Sequence, residues 1–247
     1  MWQHFRGAGH AGGTANETII DFDKGVSKTD FLAALTMGES HQTWNSTGIN
    51  NTVADGDTFV VTAQDGTTTV TYTIAVPTKA IGESYLNGKV GYVLKSADPG
   101  YILGETHGLI AATADYGAPT IVAWISGTNN ITSALNGNTL TAIGTGLANT
   151  DAMRNQPDYS TSVQVNAASV CYDYNTGSDL HSWYLPSLDE LHKLYLNKGA
   201  IGGFVNNLYW SSSERNQWAG FYENLTDGTS DGLMKGIGSY VRCVKTF

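Results

Sequence analysis

The sequence predicts an α+β fold, with a small strand-rich unit followed by a larger mixed one. Three observations carry that reading. Ser187 and Glu190 head a segment in which Leu188, Leu191, Leu194 and Tyr195 recur at helical spacing; the serine can cap the first turn while the glutamate reaches back to the cap. Val70, Tyr72, Ile74 and Val76 alternate with polar residues behind an Asp65-Gly66 pair, a hairpin signal with one apolar face. Only 14% of the 247 residues are charged, and 29 are glycine, which suits many short strands and turns.

Taken in order, residues 1–18 read as an arm, because Gly7, Gly9, Gly12 and Gly13 disfavour compact structure. His4 and His10 lack cysteine or carboxylate at ligand spacing, so they read as surface residues rather than metal ligands. No long apolar leader follows Met1, and no run approaches the roughly 18 apolar residues of a membrane helix, so membrane insertion is not expected. Residues 19–78 form a small α+β spacer domain. Ser27 and Asp30 mark a helix start, Val26 staples onto Phe31, and Phe31, Leu32 and Leu35 make an apolar face before Gly38. Strands over 58–62 and 70–76 complete it. Leu32-Ala33-Ala34-Leu35 and the segment from Asp55 through Thr68 are similar to a small module repeated in bacterial surface proteins.

Residues 77–82 serve as a linker, and a second domain occupies 82–247. Its first strand lies over 89–94. The stretch 127–155 shows little periodicity and reads as long surface loops. A helix is expected over 166–174, carrying Ala167, Ala168, Val170 and Cys171. The capped helix after Ser187 has the pattern of an ordinary core helix, with Gly199 as its stop.

Three blocks of the second domain stand out together: Trp183-Tyr184-Leu185-Pro186-Ser187-Leu188-Asp189-Glu190-Leu191, Tyr209-Trp210-Ser211-Ser212-Ser213-Glu214 and Tyr240-Val241-Arg242-Cys243-Val244. In this order they resemble a bacterial and phage family related to the C-type lectin fold. That family includes the C-terminal domain of a Legionella collagen-like adhesin and is similar to the variable proteins of diversity-generating retroelements. Gly91-Tyr92-Val93, His107 to Ala112 and Ile143 to Thr150 look like its earlier blocks, so the resemblance spans about residues 82–247. It implies structural roles for Trp183, Leu185, Pro186, Glu190, Trp210, Ser212, Glu214 and Arg242. It also places Cys171 and Cys243 where this fold commonly carries a disulfide, which would close a loop of about 70 residues worth roughly 4 kcal/mol. Two neighbouring buried thiols are the alternative for a chain that matures in a bacterial cytoplasm.

The composition excludes several classes. Thirteen basic against 22 acidic residues give a net charge of −9, which repels nucleic acid and anionic membranes. No Ser/His/Asp order, phosphate loop or metal-ligand cluster appears, and a carboxylate such as Glu214 is a poor activator for the serines beside it. An enzyme is not expected. Asp98, Asp115, Asp173 and Asp179 lack the ligand spacing of a calcium loop, so no cofactor is expected either.

The segment between the second and third blocks mixes large aromatics with small polar residues, a blend suited to binding surfaces. Arg215, Asn216, Trp218, Tyr222, Asn224, Asp231, Leu233 and Met234 are the expected ligand-contacting residues. Leu233 and Met234 read as apolar residues in a loop without local packing. Phe221 and Leu225 alternate as inward strand positions. The resemblant family has an Ala-Trp pair in this segment where this chain has Trp218-Ala219-Gly220. The expectation is a non-enzymatic adhesin or receptor-binding protein of a phage tail or bacterial surface. It would bind a host or cell-surface protein or glycan and assemble as a homotrimer for avidity. The alternative is a structural virion or surface subunit that assembles into filaments or lattices.

Overall fold

The computed structural model describes residues 17–19, 23–35, 41–116, 120–125, 140–156, 165–174 and 181–247. The fold is α+β: among the described residues, four helices accompany strands that pair mostly antiparallel. The chain divides into two compact units. One is Met1–Ala80 with Lys95–Ala97 and Tyr101–Thr106; the other is Ile81–Leu94 with Asp98–Gly100 and His107–Phe247.

Among its described residues the first unit contains β1 (Glu17–Ile19), α1 (Lys28–Ala34), β2 (Thr43–Asn45), β3 (Thr58–Thr62) and β4 (Thr69–Ile74), the strands in one sheet of order β1-β4-β3-β2 beside the helix. Ser27 caps α1 by accepting the Asp30 amide at 3.1 Å. The helix ends at Leu35, whose backbone is extended; the expected stop at Gly38 lies outside the described residues. At the hairpin tip, Asp65 Oδ1 accepts the Thr67 and Thr68 amides and Oδ2 accepts the Thr68 hydroxyl, while Gly66 takes a positive φ of 71°. Phe59, Val61, Val70, Tyr72 and Ile74 pack with Phe31, Ile49 and Val53 as the core. Each large side chain buried there is worth about 1.5–3 kcal/mol. β1 runs parallel to β4 with Ile19 opposite Ile74. Glu17 and Thr18, expected in the arm, therefore belong to the sheet; residues 1–16, with His4 and His10, lie outside the described residues.

The second unit contains β5 (Ser84–Tyr85), β6 (Gly88–Val93), β7 (Gly108–Ala111), β8 (Val122–Ala123), α2 (Gly146–Arg154), α3 (Ala167–Tyr172), α4 (Leu188–Ile201), β9 (Leu208–Asn216), β10 (Ala219–Asn224), β11 (Ser230–Met234), β12 (Gly238–Ser239) and β13 (Val244–Thr246). Its sheets run β13-β7-β6-β5, β11-β10-β9 and β12-β8. The main core gathers Trp124, Trp183, Leu185 and Trp210 around Ile110 and the α3 residues Ala167, Ala168, Val170 and Cys171. A second cluster sets Leu191 and Leu194 of α4 against Tyr184, Tyr209, Leu225 and Val244.

α4 begins with the reciprocal cap: Ser187 Oγ accepts the Glu190 amide at 3.3 Å, and Glu190 Oε2 accepts the Ser187 amide at 2.8 Å. The other Glu190 oxygen accepts the Gly144 amide at 2.8 Å, so this carboxylate fastens the loop before α2 to the head of α4. The helix does not stop at Gly199. Ile201, seven residues after Leu194, is buried and carries the apolar stripe onward, and the stop falls at Gly202 with φ of 77°.

α2 corrects the loops expected over 127–155, of which 127–139 lie outside the described residues. Its buried positions are Gly146, Asn149, Thr150 and Met153, at helical spacing but mostly without apolar side chains. A side chain at Gly146 would strike Glu190 Oε2 and the Tyr184 ring. Thr150 instead bonds the Gly146 carbonyl at 2.8 Å and receives the Leu185 amide at 3.1 Å.

Cys171 and Cys243 form a disulfide with Cα atoms 5.2 Å apart, tying α3 to the segment before β13. Next to it, Arg242 is fully buried. It donates to Asp115 at 2.7 Å and to the Ala112 carbonyl at 2.9 Å, and its guanidinium lies 3.8 Å from the Phe204 ring centre. The Tyr209 hydroxyl donates to the other Asp115 oxygen at 2.5 Å. A charge buried in this way is stable only when paired and bonded on all sides.

Candidate functional site

The segment predicted to bind ligand folds as the three-stranded sheet β11-β10-β9, and its two ends differ. At one end β9 turns into β10 through Gln217 and Trp218. Asn216 Oδ1 accepts the Trp218 amide at 2.9 Å and the Ala219 amide at 3.0 Å, a side-chain turn that fixes the backbone locally. The Trp218 carbonyl accepts the Lys235 amide at 3.0 Å. The indole is thus carried on a turn bonded from both sides, yet it is 52% exposed.

Apolar neighbours share this end. Met234 pairs with Ala219 across the sheet, and its carbonyl accepts the Ile237 amide at 2.9 Å. Met234 is 66% and Ile237 49% exposed. Ile121 is also exposed, and its side chain covers Gly238, where an added Cβ would stand 2.8 Å from it. Arg215 lies across Gly232 and pairs with Asp231 at 3.1 Å. This exposed pair contributes at most about 1 kcal/mol to stability.

The end is supported from beneath. Lys235 Nζ donates to Glu214 Oε1 at 2.5 Å with both side chains buried, and it lies 5.2 Å from the Trp124 ring centre. Burial pushes the ammonium below its ordinary pKa, and the Glu214 carboxylate opposes that shift. Trp124 in turn donates its indole N–H to the Ser211 carbonyl at 2.5 Å and packs flat against Gly220, where a Cβ would stand 2.7 Å from the ring.

The eight expected contact residues therefore separate. Arg215, Trp218, Asp231 and Met234 are exposed and sit together at this end. Asn216 is exposed but spends its side-chain oxygen on the turn. Tyr222 and Leu233 are half-buried and pack against the main core; the loop expected for Leu233 and Met234 is corrected, since both are strand residues of β11. Asn224 is at the opposite end, where Oδ1 accepts the Thr226 amide at 3.0 Å and its carbonyl accepts the Gly228 amide at 2.8 Å, so it shapes the β10–β11 turn. Leu225 is buried as expected, whereas Phe221 is only half-buried. The residue between them, Glu223, shares their face by alternation and is buried. Ile237, Ile121 and Lys235 were not anticipated. The first lies between two glycines in sequence, a context that signals an exposed turn but gives no sign of its neighbours.

The blocks assigned structural roles are internal. Trp183, Leu185, Pro186, Glu190, Trp210, Ser212, Glu214 and Arg242 are all buried. The serine run is occupied: Ser211 Oγ donates to the Phe221 carbonyl at 2.9 Å, Ser212 Oγ receives Asn149 Nδ2 at 3.3 Å, and Ser213 Oγ donates to the Leu140 carbonyl at 2.8 Å. Both Asp115 oxygens are used by Arg242 and Tyr209. Among the described residues no group of three or more His, Cys, Asp or Glu side chains is placed to hold a metal ion. Comparison of the chain with known protein families and with curated proteins returns no match.

Proposed function

We propose that this chain is a non-enzymatic target-binding protein, an adhesin or receptor-binding component of a phage tail or bacterial surface, whose second unit is a C-type-lectin-like binding domain. The observation that carries the reading is the exposed Trp218 indole, held on a bonded turn beside Met234 and Ile237 and flanked by the Arg215–Asp231 pair. A rigid aromatic side chain with an adaptable thioether beside it and a polar rim is a combination that protein and glycan targets engage. The negative net charge argues against nucleic acid as the target.

The test is staining of a panel of bacterial cells with fluorescently labelled full chain, alongside the Trp218→Ala/Met234→Ala variant. At least one strain should be stained, and the variant should lose that staining while melting like the parent. Unchanged staining by the variant would remove the binding role from this end of the sheet. A self-assembling structural subunit is the second reading, favoured by β1. This three-residue strand joins the sheet edge parallel to β4, the kind of short edge strand that copies of a chain can exchange. Open filaments of the full chain under the electron microscope, with no cells stained, would move that reading to first place.

A further inference from the structure

We propose a second binding site in this molecule, a shallow dish for a neutral polyhydroxyl ligand such as a single sugar residue, where the first turns of α4 meet the loops after β6 and before α2. The dish encloses about 360 Å3, at the small end of the range of ligand pockets. Its floor is Ile143, which is only 8% exposed, with Pro99 beside it. Its rim is polar and comes from two directions. Asp189, His192 and Lys193 occupy one face of α4 at i, i+3 and i+4, and Asp98 approaches from the loop after β6.

These rim groups are held from behind. The Tyr92 hydroxyl donates to Asp98 Oδ2 at 2.5 Å, and the Lys193 ammonium lies 5.0 Å from the centre of the same tyrosine ring. His192 Nδ1 is 2.7 Å from Glu223 Oε1, a carboxylate that is 1% exposed. With Nδ1 engaged there, Nε2 is the imidazole nitrogen that can serve a ligand. A site whose donors and acceptors are oriented in advance loses less on binding.

The ligand class follows by elimination. A purely apolar group would strip water from two carboxylates and an ammonium and return no hydrogen bonds. An anion would face Asp98 and Asp189, with Glu223 behind the rim, and a cation would meet Lys193. A neutral polyol satisfies all of them. Its O–H groups donate to the two aspartates and to His192 Nε2, its oxygens accept from Lys193, and its C–H face rests on Ile143 and Pro99. The site shares no residue with the Trp218 end and does not depend on the function proposed for it.

The test is an NMR titration of the isotopically labelled full chain with D-glucose, D-galactose, D-mannose and N-acetyl-D-glucosamine in turn. Acetate and ethylammonium serve as charged controls. At least one sugar should give saturable shifts at residues 98–99, 142–143 and 189–193, with a dissociation constant in the millimolar range. Asp189→Asn and Lys193→Ala should each weaken that binding about tenfold and leave the rest of the spectrum in place. The proposal is overturned by absence of saturable shifts for all four sugars, by shifts confined to other residues, or by affinities that neither substitution changes. Tighter binding of acetate or ethylammonium than of every sugar would also overturn it.

Discussion

Lys235 Nζ stands 2.5 Å from Glu214 Oε1, and 0% and 1% of their side chains reach solvent. The pair lies under the turn that carries Trp218, joined to it through the bond from the Lys235 amide to the Trp218 carbonyl. Removing one partner strands the other charge in the interior, so Lys235→Met alone should cost about 3–5 kcal/mol. Replacing both, Glu214→Leu with Lys235→Met, should recover most of that loss, since an apolar pair of similar volume has no charge or amide to desolvate. Urea unfolding of the two variants measures both terms; equal destabilisation by the single and double variants would mean that the Glu214 charge left behind carries no penalty.

The disulfide between Cys171 and Cys243 spans 72 residues of chain. In the chain-entropy picture such a loop is worth about 4 kcal/mol through its effect on the unfolded ensemble. Cys171→Ala/Cys243→Ala should lower the melting temperature of the second unit and leave the melting of the first unit in place. Calorimetry with and without reductant on the parent protein should reproduce that selective shift.

The β5–β6 hairpin turns through Leu86 and Asn87, both at positive φ, 47° and 63°. Asparagine tolerates this region and leucine does not, and the Leu86 side chain is 44% exposed, so it gains little from packing. Leu86→Asn should therefore stabilise the protein by about 0.5–1 kcal/mol. A lower denaturation midpoint in the variant would show that the leucine side chain contributes more than its backbone costs.

Two carboxylates should move stability in opposite directions with pH. Asp65 is held down to about 2 by its bonds to Thr68 and Thr67. Its contribution is present above the ordinary aspartate pKa and is lost as pH falls towards that depressed value. Burial raises Glu190, against the pull of the Ser187, Gly144 and Gly146 amides. Its contribution is complete below the ordinary glutamate pKa and is lost as pH rises through the raised value. Denaturation midpoints of the parent, Asp65→Asn and Glu190→Gln across the acid range should show the Asp65 difference growing with pH and the Glu190 titration disappearing in its variant. A Glu190→Gln profile with the parent's slope would assign that titration elsewhere. The glutamine should also be less stable throughout, because its NH2 faces amides that need an acceptor.

How much was legible in the sequence follows from what each element buries. α4 and the β3–β4 hairpin bury aliphatic and aromatic stripes, so periodicity and capping residues reveal them. α2 buries Gly146, Asn149 and Thr150, whose role is close approach and hydrogen bonding to Glu190, Ser212 and Leu185, and no hydrophobic pattern records that. The exposed end of the sheet was legible in composition, through Trp218 and Met234, but its division was not. The register shifts around Gly220 break the two-residue alternation. Tyr222 and Leu233 turn to the core while Phe221 stays half-exposed. Lys235 pairs with a residue 21 positions away, a contact that only the folded sheet creates.

That division predicts different outcomes for two aromatic truncations four residues apart in sequence. Trp218 is 52% exposed and its turn is held by backbone and Asn216 bonds, none of which needs the indole. Trp218→Ala should change the unfolding free energy by less than about 0.5 kcal/mol. Tyr222 packs against the main core opposite Trp210, so Tyr222→Ala should leave a partial cavity and cost about 2–3 kcal/mol. Chemical denaturation of each variant, read beside cell binding, separates the roles: loss of binding with parent-like stability belongs to Trp218, and loss of stability to Tyr222. If Trp218→Ala unfolds as readily as Tyr222→Ala, the indole is part of the packing of this end and the exposed-anchor reading of the sheet fails.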